Sequence, residues 1–336
     1  MAIDDIGKEA VDRGEHQYIY RESVSEEDGG QVPITMLSMV DDLLAVNKCG
    51  LQSVEANAYI NAKFESKTLT LNGSKCHKIH VGPKQATCPQ LHAHEQEMEL
   101  VVKDKYLGDV IKSDGKHDKT IEARVSSGVG QISALMTILK EVSLGQHYYT
   151  MAVLLRSTLV MSSMLLNSES WVNVLEQNIS DLEATDKILL RRILEAPIST
   201  GIPALYLELG CIPIRYIIMG RRIMFLHSIL NCDRSETISR VFFAQEKNPL
   251  NRDWNTTVKE DIKTLGMGEY SLDEIGNMKK NKLKNIVKEA CRKTAFQYLV
   301  NEIQKKDMTK LKDLKYKKLE MQSYLTVSYT HLRAHE

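Results

Sequence analysis

At 336 residues and 43% hydrophobic content, the chain can hold two or more domains, each with a core of its own. The 44 Lys and Arg cancel the 44 Asp and Glu, so net charge alone selects no anionic or cationic partner. Six cysteines without a Cys-x-x-Cys pair, no signal-peptide pattern and no apolar run of about twenty residues exclude a disulfide scaffold and a membrane span; the expectation is an intracellular protein with reduced thiols.

Residues 1–32 are mostly polar and expected to be partly ordered. A short helix over 3–10 and a short strand over 18–20 are predicted there, with a Glu/Gly loop at 26–30. Residues 33–49 read as strand, tight turn and returning strand, with Asp41 and Asp42 side by side at the bend. Adjacent carboxylates repel each other, and the apolar flanks Met39, Val40, Leu43 and Leu44 draw them toward a core. Two readings stand: a solvated turn, since Asp favours turns, or a pair of hard oxygen ligands for a divalent cation.

A helix over 50–64 follows, with Leu51, Val54, Ala58 and Ala62 on one stripe and Ala56, Ile60 and Phe64 on a second. Two apolar stripes predict packing on both sides. A strand over 77–81, a hairpin of 92–94 with 97–102 and a last strand over 106–111 complete an α+β first third. From a boundary near Gly115 the period becomes helical: 121–142, 148–166 and 179–194 are predicted helices. Thr200 is predicted to cap a short helix with Pro203 in its first turn and Gly210 at its end. Pro213 opens a helix through 230, with Arg215, Arg221 and Arg222 on its polar side. Residues 279–300 and 308–321 are the last two predicted helices.

Charge is unevenly distributed. Residues 279–318 carry fourteen Lys and Arg against Glu289, Glu302, Asp307 and Asp313. Such a run is either a solvated face or a phosphate-binding surface; its residues Lys279, Lys280, Lys282 and Lys284, with Arg191, Arg192, Arg221 and Arg222, are the candidates for nucleic-acid contacts. Tyr298 and Tyr316 could stack on bases or simply pack. Cys76, His80, Cys88 and His92 have zinc-ligand chemistry. On a strand, however, Cys76 and His80 would lie about 13 Å apart, so zinc is not favoured.

Met39-Val40-Asp41-Asp42 resembles the x-x-Asp-Asp box of reverse transcriptases. Leu71-Asn72-Gly73-Ser74-Lys75-Cys76 resembles the next palm motif of that family, Tyr106-Leu107-Gly108-Asp109-Val110-Ile111 its primer-grip motif, and Asn167 to Trp171 and Leu189 to Leu194 the helical region after the palm in non-LTR retrotransposon polymerases. The resemblance rests on the order and spacing of these motifs over roughly residues 3–318. It implies an RNA-directed DNA polymerase: a partial palm over 33–114 and a helical thumb and C-terminal region over 115–322. Asp41 and Asp42 would be ligands of Mg²⁺ (or Mn²⁺), Lys75 would assist the departing pyrophosphate, and Tyr106, Leu107 and Gly108 would grip the primer. RNA template, DNA primer and dNTP are the implied partners, with no membrane; the oligomeric state stays open.

A two-ion centre needs carboxylates from two strands; the resemblance implies that the first of them belongs to an upstream motif, for which Asp4 and Asp5, lacking an apolar strand, are no convincing substitute. The expectation is a fragment inactive by itself, the first metal-binding aspartate lying upstream. The competing expectations are a non-catalytic helical RNA-binding or scaffold protein and a degraded copy without function. Residues 323–336 are expected to be disordered, and 327–336 resemble translated sequencing-library adaptor rather than any part of that family.

Overall fold

The computed structural model describes residues 18–20, 32–34, 36–39, 42–47, 49–82, 88–142, 144–250, 253–305 and 316–325. The predicted helix over 3–10, the loop at 26–30, Asp41 and the segment 327–336 lie outside the described residues. Two compact units emerge: Met1–His117 with Cys232–Asn255, and Asp118–Asn231 with Thr256–Glu336. Residues 232–255, which the sequence analysis grouped with the helices around them, thus belong to the first unit.

Among the described residues, the first unit combines short strand pairs with a helix at Gly50–Ser66 and another at Thr237–Lys247. β1 (Tyr18–Tyr20) pairs antiparallel with β2 (Val32–Ile34). β3 (Met36–Met39) pairs antiparallel with β4 (Asp42–Ala45), Met36 opposite Ala45 and Met39 opposite Asp42. α1 (Gly50–Ser66) buries Ala56, Ile60 and Phe64, four residues apart on one face. Ile60 and Phe64 pack with Leu43, Tyr59 and Leu71, which joins β4 and the segment after the helix to α1. The other predicted stripe is not covered: Leu51 is 70% and Val54 42% exposed. It runs out into Ala58 and Ala62, which offer little apolar area to bury.

β5 (His77–Lys78) pairs in parallel with β8 (Glu99–Leu100), and β6 (His92–Ala93) antiparallel with β7 (Gln96–Glu97). The predicted strand over 77–81 is therefore shorter, and the predicted hairpin divides between two partners. Asn61 on α1 holds the β6–β7 turn, donating to the His92 carbonyl at 2.7 Å and accepting from the His94 amide at 2.9 Å. β9 (Lys103–Tyr106) and β10 (Asp109–Lys112) form an antiparallel pair with Tyr106 opposite Asp109. The single strand expected over 106–111 is thus broken by a turn at Leu107-Gly108. Leu107 and Gly108 both have positive φ, 48° and 85°, as a two-residue turn matched to strand twist requires. Leucine rarely adopts that region, so its presence hid the turn.

The second unit is helical. α2 (Asp118–Glu141) buries Ile121, Gly128, Ile132, Leu135 and Leu139. The helix expected over 148–166 is interrupted: α3 (Tyr148–Leu155) runs into a π turn at Arg156–Val160 before the short α4 (Met161–Met164). Arg156, the first residue of that turn, is buried. Its Nε and Nη2 donate to the Asp186 carboxylate at 2.7 and 2.6 Å, Nη2 also donates to the Ile212 carbonyl, and Tyr206 Oη donates to Asp186 at 3.1 Å.

α5 (Glu176–Leu194) supplies Asp186. α6 (Ile202–Leu209) starts from Gly201, not from a Thr200 cap, with no side-chain cap; Pro203 sits in its first turn. Gly210 ends it at φ 62°. α7 (Ile214–Leu230) follows Pro213. α8 (Thr237–Lys247), absent from the sequence analysis, belongs to the first unit, where Phe242 lies edge-on to Phe243 and Trp254. α9 (Trp254–Thr264) and α10 (Leu272–Asn277) follow, the latter opened by a capping box between Ser271 and Glu274.

α11 (Lys280–Lys305) buries Leu283, Val287, Cys291, Ala295, Leu299 and Ile303 and packs against α7 and α6. Of the helix expected over 308–321, the described part, from Tyr316, is not helical. Met321 instead forms an antiparallel bridge with Leu209, and the Gln322 amide donates to the Glu208 carbonyl at 3.0 Å. Ser323–Leu325, expected to be disordered, forms a 3₁₀ turn. No single helix among the described residues is long and apolar enough to cross a membrane; α6 and α7 pass that test only as a pair, bent by 54°.

At Gly210 a side chain would meet both positive φ and the backbone of Glu320 and Met321; at Gly266 φ is also positive, 68°, but the space is open. Gly210→Ala is therefore expected to cost about 2 kcal/mol or more and Gly266→Ala about 1 kcal/mol in urea unfolding. Burial pushes the Cys211 thiol up to about 11 and the Cys291 thiol up to about 12, from 9.0. The unfolded chain gives up these protons first, so their contribution is complete below about pH 9. It is expected to fall as pH rises from about 9 through about 11 for Cys211 and about 12 for Cys291. Urea midpoints of Cys211→Ala and Cys291→Ala against pH check this: each should flatten the alkaline loss.

Candidate functional site

Asp42 opens β4 and is exposed. The strands that approach it come from far along the chain. Tyr106, the last residue of β9, donates its phenol to the Leu37 carbonyl on β3 at 3.1 Å, across 69 residues. Burial first, and then the charge of Asp42, raise the Tyr106 phenol above its ordinary value. Tyr106, which opens the Tyr-Leu-Gly turn, is thus a neighbour of both β3 and Asp42. β9 is held from another side by His77, whose Nδ1 lies 2.7 Å from Asp104 Oδ2. Leu107 projects from the turn, 42% exposed.

Lys75 ends a 3₁₀ turn, Gly73–Lys75, just after the Leu71 that packs on α1. Its side chain is exposed, and no side-chain hydrogen bond or ion pair joins it to Asp42 or Tyr106 among the described residues. The site therefore gathers Asp42, Tyr106, Leu107 and Gly108, with Lys75 on a separate exposed turn of the same unit. No group of three or more His, Cys, Asp or Glu is gathered as a metal ion would need among the described residues. The exposed carboxylate of Asp42 is a suitable hard oxygen donor for Mg²⁺, an ion that keeps most of its waters. Asp41, which would be the second, lies outside the described residues.

The predicted basic residues divide by their surroundings. Arg222 is not on a polar face: it is buried, its Nε and Nη2 donate to Asp261, and Nη1 donates to the Trp171 carbonyl at 3.1 Å. A guanidinium paired and enclosed in this way serves packing, not a phosphate. Arg221 is half-buried and donates to the Leu165 carbonyl. Arg191 is half-buried, at 3.5 and 3.4 Å from the Ile198 and Thr200 carbonyls, whereas Arg192 is exposed.

Lys279, Lys280, Lys282 and Lys284 are all exposed. Lys280 and Lys284 line a cleft of about 500 Å³ between α7 and α11 together with Lys288, a residue the sequence analysis passed over. The four-residue step from 280 to 284 to 288 was the available signal, since it puts all three on one helix face. Of the aromatic candidates, Tyr316 donates to Glu208, and Tyr298 lies edge-on to Tyr216 with Arg215 over its ring.

No protein-family model, curated protein or solved structure matches the chain. The coupling in the first unit can be measured directly. Asp42→Asn removes a charge that raises the Tyr106 phenol, so Tyr106 is expected to titrate at lower pH in that variant, followed by NMR of ring-labelled tyrosine. An unmoved titration would show that the carboxylate and the phenol do not sense each other.

Proposed function

We propose that this chain is part of an RNA-directed DNA polymerase of the non-LTR retrotransposon type, with a partial palm in the first unit and thumb-like helices in the second. The observation that supports this most is the Tyr106 hydrogen bond to β3. It sets the Tyr-Leu-Gly turn beside the strand pair that carries Asp42, two motifs separated by more than sixty residues in sequence. A polymerase requires that neighbourhood, because the primer end must be held next to the metal-binding carboxylates.

In this reading Asp41 and Asp42 hold Mg²⁺, which when bound activates the primer hydroxyl and steadies the triphosphate. The Tyr106–Gly108 turn brings backbone close to the primer end, and the exposed amine of Lys75 is available to a leaving pyrophosphate through charge. RNA template, DNA primer and dNTP are the partners. One adjacent pair of carboxylates supplies half of a two-ion clamp, so the chain by itself binds Mg²⁺ weakly and does not extend a primer.

The exposed lysines of α11 favour a second reading, a non-catalytic helical RNA-binding protein. Primer extension on an RNA template with Mg²⁺ separates the two once an upstream palm strand bearing an aspartate is joined to the chain. Polymerase ancestry predicts extension that Asp42→Ala lowers by about a hundredfold or more. No extension from any such fusion, with RNA binding intact, would leave the second reading standing.

A further inference from the structure

The α7–α11 cleft combines two properties that a solvated charged face does not. Along one rim, Lys280, Lys284 and Lys288 place a cation at each successive turn of α11, about 6 Å apart. Beneath them the floor is apolar: Ile212, Ile217, Met224 and Val287, with Phe225 beside them. Glu169 and Arg221 also line the cleft and sense each other's charge, so the carboxylate there already has a cationic neighbour. The balance of these side chains is cationic by three, concentrated on the α11 side.

We propose that this cleft binds single-stranded nucleic acid, with phosphates along the lysine row and unpaired bases against the apolar floor. Phosphate satisfies the lysines. A duplex presents its backbone and grooves while its bases stay stacked inside, so it leaves the floor empty; unpaired bases can turn their faces to it. The inference rests on the nucleic-acid reading above in taking phosphate as the anion. It does not depend on the polymerase chemistry of the first unit, and its test uses no polymerisation.

The experiment is fluorescence anisotropy on the full chain with a labelled twelve-nucleotide RNA, single-stranded or annealed to its complement. The single strand is expected to bind at least several-fold tighter. The triple variant Lys280→Gln, Lys284→Gln, Lys288→Gln is expected to weaken single-strand binding about tenfold or more. It should also reduce the slope of log K against log salt by about 2, as the loss of three phosphate contacts on a single strand implies. A comparison variant, Lys263→Gln, Lys293→Gln, Lys305→Gln, removes the same charge from exposed positions that do not line the cleft and should lose clearly less.

Ile217→Ser, its folding checked by urea midpoint, should weaken the single strand while leaving the salt slope unchanged. Equal losses in the two triple variants, or a duplex that binds as tightly as the single strand, would overturn the proposal. A helical Glu/Leu peptide that occupies the cleft where RNA does not would also overturn it, in favour of an acidic protein partner.

Discussion

The helical unit depends on the enclosed pairing of Arg156 with Asp186. Two parallel N–H donors meet two carboxylate oxygens, the geometry in which an arginine pair is strongest. Both residues are nearly or wholly out of solvent, so removing either partner would strand a buried charge. The pair also spends its remaining valences on its surroundings. Tyr206 of α6 donates to the same carboxylate, and the Ile212 carbonyl before α7 accepts from the same guanidinium. One ionic contact thereby relates the π turn, α5, α6 and the start of α7.

Two further arginines extend that logic. Arg222 ties α7 to Asp261 of α9 and to the Trp171 carbonyl, while Arg215 bridges from α7 to Glu183 and Glu176 of α5 at 2.9 and 2.7 Å. Both lie among the arginines that look like a basic surface when the sequence is read alone. Their engagement shifts the accessible positive charge to α11, where Lys280, Lys284 and Lys288 stand over an apolar floor. Among the described residues, the first unit is held by the apolar cluster around Ile60 and Phe64, by Phe242 against Trp254, and by hydrogen bonds such as Tyr106 to Leu37 and Asn61 to His92.

Much of the helical part was readable from periodicity. α2, α5, α7 and α11 were all anticipated, since apolar residues at steps of three and four have one economical arrangement. The ends set by Gly210 and Pro213 were readable too, because these residues have few conformations open to them. Polar helices were less visible. α8 was missed because the burial of Phe242 is shared with Trp254, beyond its own helix. The Lys103–Lys112 strand pair was misread because Leu107 takes a backbone conformation that a leucine rarely adopts.

The sequence by itself determined the candidates: two neighbouring carboxylates between apolar strands, a Tyr-Leu-Gly stretch, and a lysine-rich helix with one buried face. These follow from local chemistry and period, which need no partner. Tertiary structure decided which candidates meet. It set Tyr106 against β3, left Lys75 on a turn of its own, enclosed Arg222 and added Lys288 to the cleft. Whether an arginine is a surface cation or half of an interior pair depends on a carboxylate tens of residues away, as Arg222 and Asp261 do. No local pattern carries that information.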